Sequence, residues 1–230
     1  DVTHDFLDVT ITIGNEDVHF IGGHLKCCTG STNENRRNLE MQGIINYMDS
    51  LGNSPIFFLG DFNSFSPDDK GINNLQTGLG YGPMTMLLDP QDPTYGQFAP
   101  VNQTWMDIYR SLNPNKIGAS EPDFDSRIDY IMINQYVDEN LISSTVGDTA
   151  SATTGSDHYT VDVTVEFQNI TEQKNTLGRL SIYLITNKQI KNISINVKIK
   201  IFEKNYFLNY ELSSVIILFR IKYSSIGNKN

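Results

Sequence analysis

The sequence predicts an α/β fold, a sandwich of packed sheets, on three observations. Strand-period alternation occurs near residue 7 and again near residue 160, one amphipathic helix lies between them, and polar motifs sit at the ends of apolar runs. Leu7, Val9, Ile11 and Ile13 alternate with Asp8, Thr10 and Thr12, the period of a half-buried strand. Gly14-Asn15-Glu16-Asp17 reads as a turn, Val18 to Ile21 as the returning strand, and Gly22-Gly23 as its end just before His24. The polar stretch from Thr29 to Asn35 leads into a helix. Its apolar positions Met41, Ile44, Ile45 and Met48 keep helical spacing, and Gly52 is placed to stop it.

Ile56-Phe57-Phe58-Leu59 is a continuous apolar run, the pattern of a strand covered on both faces, and it ends in Gly60-Asp61-Phe62-Asn63. Residues 64–122 are rich in Gly, Pro, Asn and Asp, and only Trp105 to Leu112 reads as helical. Loops this long in compact domains usually carry function. Two further strands are predicted, at Arg127 to Ile133 and at Tyr159 to Phe167.

Composition divides the chain near residue 168. Residues 1–168 carry 7 Lys and Arg against 24 Asp and Glu, a net charge of −17; residues 169–230 carry 10 against 3, a net charge of +7. We therefore expect a domain over 1–168 and a basic Ile/Asn/Lys-rich tail over 169–230. Within the tail, Ile193, Ile195, Val197, Ile199 and Ile201 alternate with polar residues, the pattern of an added strand or of biased composition. The acidic body disfavours tight sequence-independent binding of nucleic acid, an affinity that comes from Lys and Arg displacing counterions. The longest apolar run, Val215 to Phe219, is far too short to span a bilayer. Cys27 and Cys28 are too few for a disulfide framework and read as structural or free thiols. The oligomeric state and the compartment stay open.

Four motifs carry the chemistry: His24-Leu25-Lys26, Gly60-Asp61-Phe62-Asn63, Ser126-Arg127-Ile128-Asp129-Tyr130 and Gly155-Ser156-Asp157-His158-Tyr159. Each borders a predicted strand and holds a polar residue that a core does not accommodate. Taken singly they have bland readings: a surface or capping histidine at 24, a turn acid at Asp61, a buried acid at Asp129 satisfied by Arg127 or a backbone donor, and a strand-leading polar pair at Asp157-His158. Taken together they supply two histidines and three carboxylates, the groups that metal-assisted hydrolysis of a phosphoester requires. They predict that His24, Asp61, Asn63, Asp129, Asp157 and His158 meet in one cleft, with Asp129 in hydrogen-bond reach of His158.

The order and wording of these motifs resemble the endonuclease/exonuclease/phosphatase superfamily over about residues 6–167. The stretch from His24 to Ser64 looks most like its secreted or surface members. The resemblance implies a divalent-metal-dependent phosphodiesterase, most like a nuclease, acting by in-line attack of activated water. A phosphomonoesterase or a sphingomyelinase-like phospholipase on the same fold is the alternative, since one scaffold hosts several substrates. It further implies that Asp61 and Asn63 position water and stabilise the phosphoryl oxygen. His158 acts as general base or phosphate ligand, Asp129 orients His158, and His24 contacts phosphate or protonates the leaving group. Asp157 serves the metal, a hard ion such as Mg²⁺, Ca²⁺ or Mn²⁺. The substrate partner is a phosphoester, with nucleic acid as one form of it.

One departure stands out. The family pattern opens with a strand bearing a metal-linked Asn, followed by a Gln-Glu pair whose Glu is the principal ligand. The 23 residues before His24 hold neither, and Glu16 lies in a turn. The resemblance thus implies a partial four-layered α/β sandwich of mixed sheets, N-terminal half missing, whose metal site is incomplete and which is inactive by itself. In that form it is an inert binding module, the rival of another class.

Overall fold

The computed structural model describes residues 6–13, 16–72, 78–137, 140–147, 157–171, 174–186, 206–212 and 215–225. The chain is an α/β sandwich: one layer of helices, a mixed five-stranded sheet, and a second five-stranded sheet. Strands β1 (Leu7–Ile13) and β2 (Glu16–His24) form an antiparallel hairpin. Helix α1 (Ser31–Ser50) then crosses over to β3 (Ile56–Asp61), which pairs parallel to β2. Helix α2 (Gly82–Leu88), the short strand β4 (Trp105–Asp107), helix α3 (Ile108–Leu112) and strand β5 (Asp129–Asn134) complete this half, with the sheet order β1-β2-β3-β5-β4.

The second sheet holds β6 (Asn140–Gly147), β7 (Thr160–Thr171), β8 (Lys174–Thr186), β9 (Tyr206–Leu212) and β10 (Val215–Ser225), in the order β6-β7-β8-β10-β9. The expected boundary at 168 falls inside β7, whose backbone runs on to Thr171 and pairs with β8. The Ile193 to Ile201 alternation lies outside the described residues. No described helix is long and apolar enough to cross a membrane.

The first sheet is covered on both faces, as the apolar run of β3 requires. Phe57 and Leu59 join Val9, Ile11, Val18, Phe20, Ile131 and Ile133 against Val161, Val163 and Val165 of β7, forming the core between the sheets. On the opposite face Ile56 and Phe58 meet the α1 stripe Met41, Ile44, Ile45 and Met48, together with Met84 and Met86 of α2. Helix α1 ends at Leu51, and Gly52 takes a left-handed φ of 64°, the conformation glycine reaches without a Cβ penalty.

Three elements differ from their sequence patterns. Gly22 and Gly23 do not end β2, which continues through them to His24, because both stay in register with β3. Trp105 to Leu112 is not one helix. Its first three residues pair with β5, and the helix begins only after Asp107 caps it by accepting from the Arg110 amide. Helix α2, beginning at Gly82-Pro83, is hidden in the composition of a loop, yet it buries Met84, Met86 and Leu87.

Under β5 lies a group of buried charges. Asp69, on a 3-10 turn (Pro67–Asp69), accepts from Arg127 at 2.7 and 2.9 Å and from Arg110 at 2.6 and 2.9 Å. Arg127 also binds Asp107 and lies over the Tyr130 ring, 4.5 Å from its centroid. Arg110 reaches the carbonyls of Asn113, Pro114 and Lys116, pinning the loop after α3. Two cations and two anions balance, so the group is tolerable only as a whole. Asp69→Ala strands the Arg110 guanidinium and leaves Arg127 with Asp107 alone, and we expect it to cost about 3–5 kcal/mol of stability, read as a lower midpoint in urea unfolding.

Candidate active site

Strand register builds the site. Across β2, β3 and β5, Phe20–Phe57–Ile133 form one row, Gly22–Leu59–Ile131 the next, and His24–Asp61–Asp129 the last. The positions alternate in twos, so all three rows face the second sheet. Two apolar rows close the core, and the third, polar row lies at its mouth. Gly60 is indispensable here: a Cβ on it would lie 1.8 Å from the Gly23 carbonyl oxygen. Beyond Asp61 the chain turns through Asn63 at a left-handed φ of 45°. There the Asn63 amide donates to Asp61 Oδ1 at 2.9 Å, and its side-chain Nδ2 donates to the Leu25 carbonyl at 3.2 Å.

The second sheet supplies the opposing wall. Asp157 and His158 immediately precede β7, and His158 Nδ1 lies 2.7 Å from Asp129 Oδ2. Ser120 locks this arrangement. Its Oγ accepts from the amides of Ile128 and Asp129, and its carbonyl accepts from Tyr159 N at 2.7 Å, so one residue holds both sides of the cleft. His24 Nε2 stands 3.4 Å from Asp61 Oδ2 on the more open side.

The structure thus brings His24, Asp61, Asn63, Asp129 and His158 together, and Asp157 is near enough for its charge to act on both Asp61 and His158. The bland reading of Asp129 is corrected: Arg127 is committed to Asp69 and Asp107, and Asp129 pairs with His158. Glu16 stands at the far end of β2, about 26 Å of strand from His24. Sequence reasoning missed Ser120 and the Asp69–Arg127 group, since a serine in a Gly/Pro-rich loop carries no distinguishing signal. It also missed Glu121, whose carboxyl burial pushes up and which feels the charge of His158.

Burial drives the Asp61 carboxyl up to about 8. Asp129 and Asp157 push the same way, and His158 and the Asn63 amide oppose them. For His158, burial disfavours the charge, but Asp129, by charge and by hydrogen bond, then Asp61 and Asp157, raise it to about 9. Near neutral pH the carboxylates around His158 favour its charged form, and burial among the acids favours the neutral form of Asp61. One ligand atom from each of Asp61, Asp129 and His158 lies within 4.8 Å of the others, a group able to hold a metal ion. Two carboxylates are hard oxygen donors that suit Mg²⁺, Ca²⁺ or Mn²⁺, and a nearby cation relieves the crowding that protonates Asp61. Asp157, expected from the sequence to serve a metal, acts by its charge on Asp61 and His158 of this group.

No known family matches the chain, and no curated protein matches it. Among solved structures it is similar to beta toxin from Staphylococcus aureus, with 14% identity and a TM-score of 0.37 over 70% of this chain and 56% of the toxin. A β-hairpin deletion mutant of that toxin matches at 17% identity and a TM-score of 0.31, over 58% of this chain and 44% of the mutant. A double point mutant with bound magnesium ions matches at 16% identity and a TM-score of 0.36, over 70% and 57%. The chain spans about half the length of these structures.

The raised His158 pKa has a definite consequence for metal-free stability. Its contribution is fully present below the unfolded histidine value of about 6.5 and is lost as pH rises through about 9. We expect unfolding free energy to fall by about 3 kcal/mol across that window, and His158→Gln to flatten the slope in denaturation series between those limits.

Proposed function

We propose that this site hydrolyses phosphodiester bonds with the help of a divalent cation. The observation that carries the reading is the single row His24–Asp61–Asp129 faced by His158 across the mouth of the sandwich. A bound divalent ion supplies positive charge that stabilises a phosphoryl oxygen in the transition state. The chain's own groups do the rest. Asp61 accepts a hydrogen bond from the attacking water and orients it for in-line displacement. Burial holds its carboxyl well above the usual carboxylate range, and a bound cation would draw it back toward the charged form that accepts a hydrogen bond from water. His158, held as a cation by Asp129, is a preorganised donor to the phosphoryl oxygen, since a group with pKa about 9 is poorly suited to take a proton at neutrality. His24, on the open side of the row, is placed to protonate the leaving oxygen.

Charge narrows the substrate. A net −17 over residues 1–168 repels a polyanionic strand, so a phospholipid head group or small phosphodiester fits this body better than DNA or RNA. The full-length protein should hydrolyse bis(p-nitrophenyl) phosphate with added Mg²⁺ and stop in chelator. His158→Ala should lower the rate by roughly 10²- to 10⁴-fold. Sphingomyelin vesicles and linear DNA, compared at equal ionic strength, should separate in favour of the lipid. Turnover unaffected by chelator would falsify the mechanism, and no turnover on any of the three substrates would leave a binding module in its place.

A further inference from the structure

Between His24 and α1 runs a strap of four residues, 25–28, tied on both sides. Toward the site, Leu25 N donates to the Asp61 carbonyl at 3.0 Å, and the Leu25 carbonyl accepts from Asn63 Nδ2. Toward the helix, Lys26 N donates to Glu40 Oε2 at 2.8 Å, and Nη1 of the fully buried Arg37 donates to the carbonyls of Lys26 and Cys28, both at 2.8 Å. At its end sit two adjacent thiols, Cys27 partly buried and Cys28 exposed at a left-handed φ of 79°. A backbone held by its neighbours in a conformation that non-glycine residues seldom adopt marks a constrained pair.

We propose that Cys27 and Cys28 are a thiol-modification site at the lip of the cleft, closed by small-molecule disulfides into a vicinal disulfide that loosens Arg37's hold on the strap. Cys28, the accessible sulfur, attacks as thiolate one sulfur of the oxidant, breaks its S–S bond and expels one thiolate. Cys27, as thiolate, then displaces the second thiol from Cys28. The protein gives up two protons and two electrons, and the oxidant becomes two thiols. Adjacent Cα atoms lie about 3.8 Å apart, below the usual disulfide range, which begins at about 4.4 Å. Ring closure must therefore turn the 27–28 peptide, which changes ψ at Cys27 and φ at Cys28 and so strains the two flanking peptides, whose carbonyls at Lys26 and Cys28 Arg37 grips. Such strained bridges are readily reduced, so the change is reversible.

The test needs no turnover, so its outcome is independent of whether the site is a hydrolase. The reduced full-length protein is treated with excess oxidised glutathione, then followed by thiol titration, intact mass and amide hydrogen exchange. We expect both thiols to vanish together with loss of two hydrogens and no retained glutathione. Exchange should speed up over residues 25–28, and dithiothreitol should reverse every change. Phenylarsine oxide should bind the reduced form one-to-one, while Cys27→Ser should lose that capture and keep one glutathione on Cys28 instead. Retained glutathione on the wild-type chain, surviving thiols, or unchanged exchange in the strap would each overturn the proposal.

Discussion

The hydrogen bond between Asp129 and His158 ties the site to the fold. Asp129 opens β5 of the first sheet, His158 precedes β7 of the second, and their 2.7 Å contact closes the end of the sandwich. Both groups are nearly buried, so neither can lose its partner without leaving a stranded charge at the seam. The same contact commits Nδ1 to the carboxylate and fixes the orientation of the imidazole ring.

Around this pair the protein spends buried polarity in successive supports. Ser120 sets the backbone of Asp129 and of the chain leading into β7. Below it, Arg127, Asp69, Asp107 and Arg110 fasten a 3-10 turn and the loop after α3 onto the start of β5. Beside it, Arg37 and Glu40 reach from α1 to hold the strap that follows His24. Each support fixes loop backbone with side chains of regular elements, which is how a loop-bearing site acquires precision. Such groups are neutral in sum, and they favour one arrangement because any partial one leaves a buried ion uncompensated.

The chemical potential of the site arises from the cost of this burial. Carboxyl groups pressed together out of water resist ionisation, and Asp61 bears most of that pressure. A divalent cation converts the penalty into affinity, because it stabilises the charged form that burial opposes. Without it, His158 provides the positive charge the acids require, a role that keeps it protonated. The same crowding that burial imposes on Asp61 is thus what a cation held by Asp61, Asp129 and His158 would relieve.

Much was legible in the amino-acid sequence, and for local reasons. The alternation of Leu7 to Ile13, the α1 stripe at Met41, Ile44, Ile45 and Met48, and the doubly covered run Ile56–Leu59 are periodic patterns that burial imposes directly. The four polar motifs stood out because each follows or precedes such a run. Helix α2 and strand β4 were not legible, since a seven-residue helix and a three-residue strand exist only by packing on neighbours. The partners of Asp69 lie 41 and 58 positions away, a pairing no spacing rule encodes. Chain order alone therefore determined which strands form the first sheet and which polar residues stand at their ends. Tertiary structure decided the rest: that register puts His24, Asp61 and Asp129 in one row, that Asp129 pairs with His158 and leaves Arg127 to Asp69, and that burial moves their protons, because desolvation and Coulomb forces depend on distance through space.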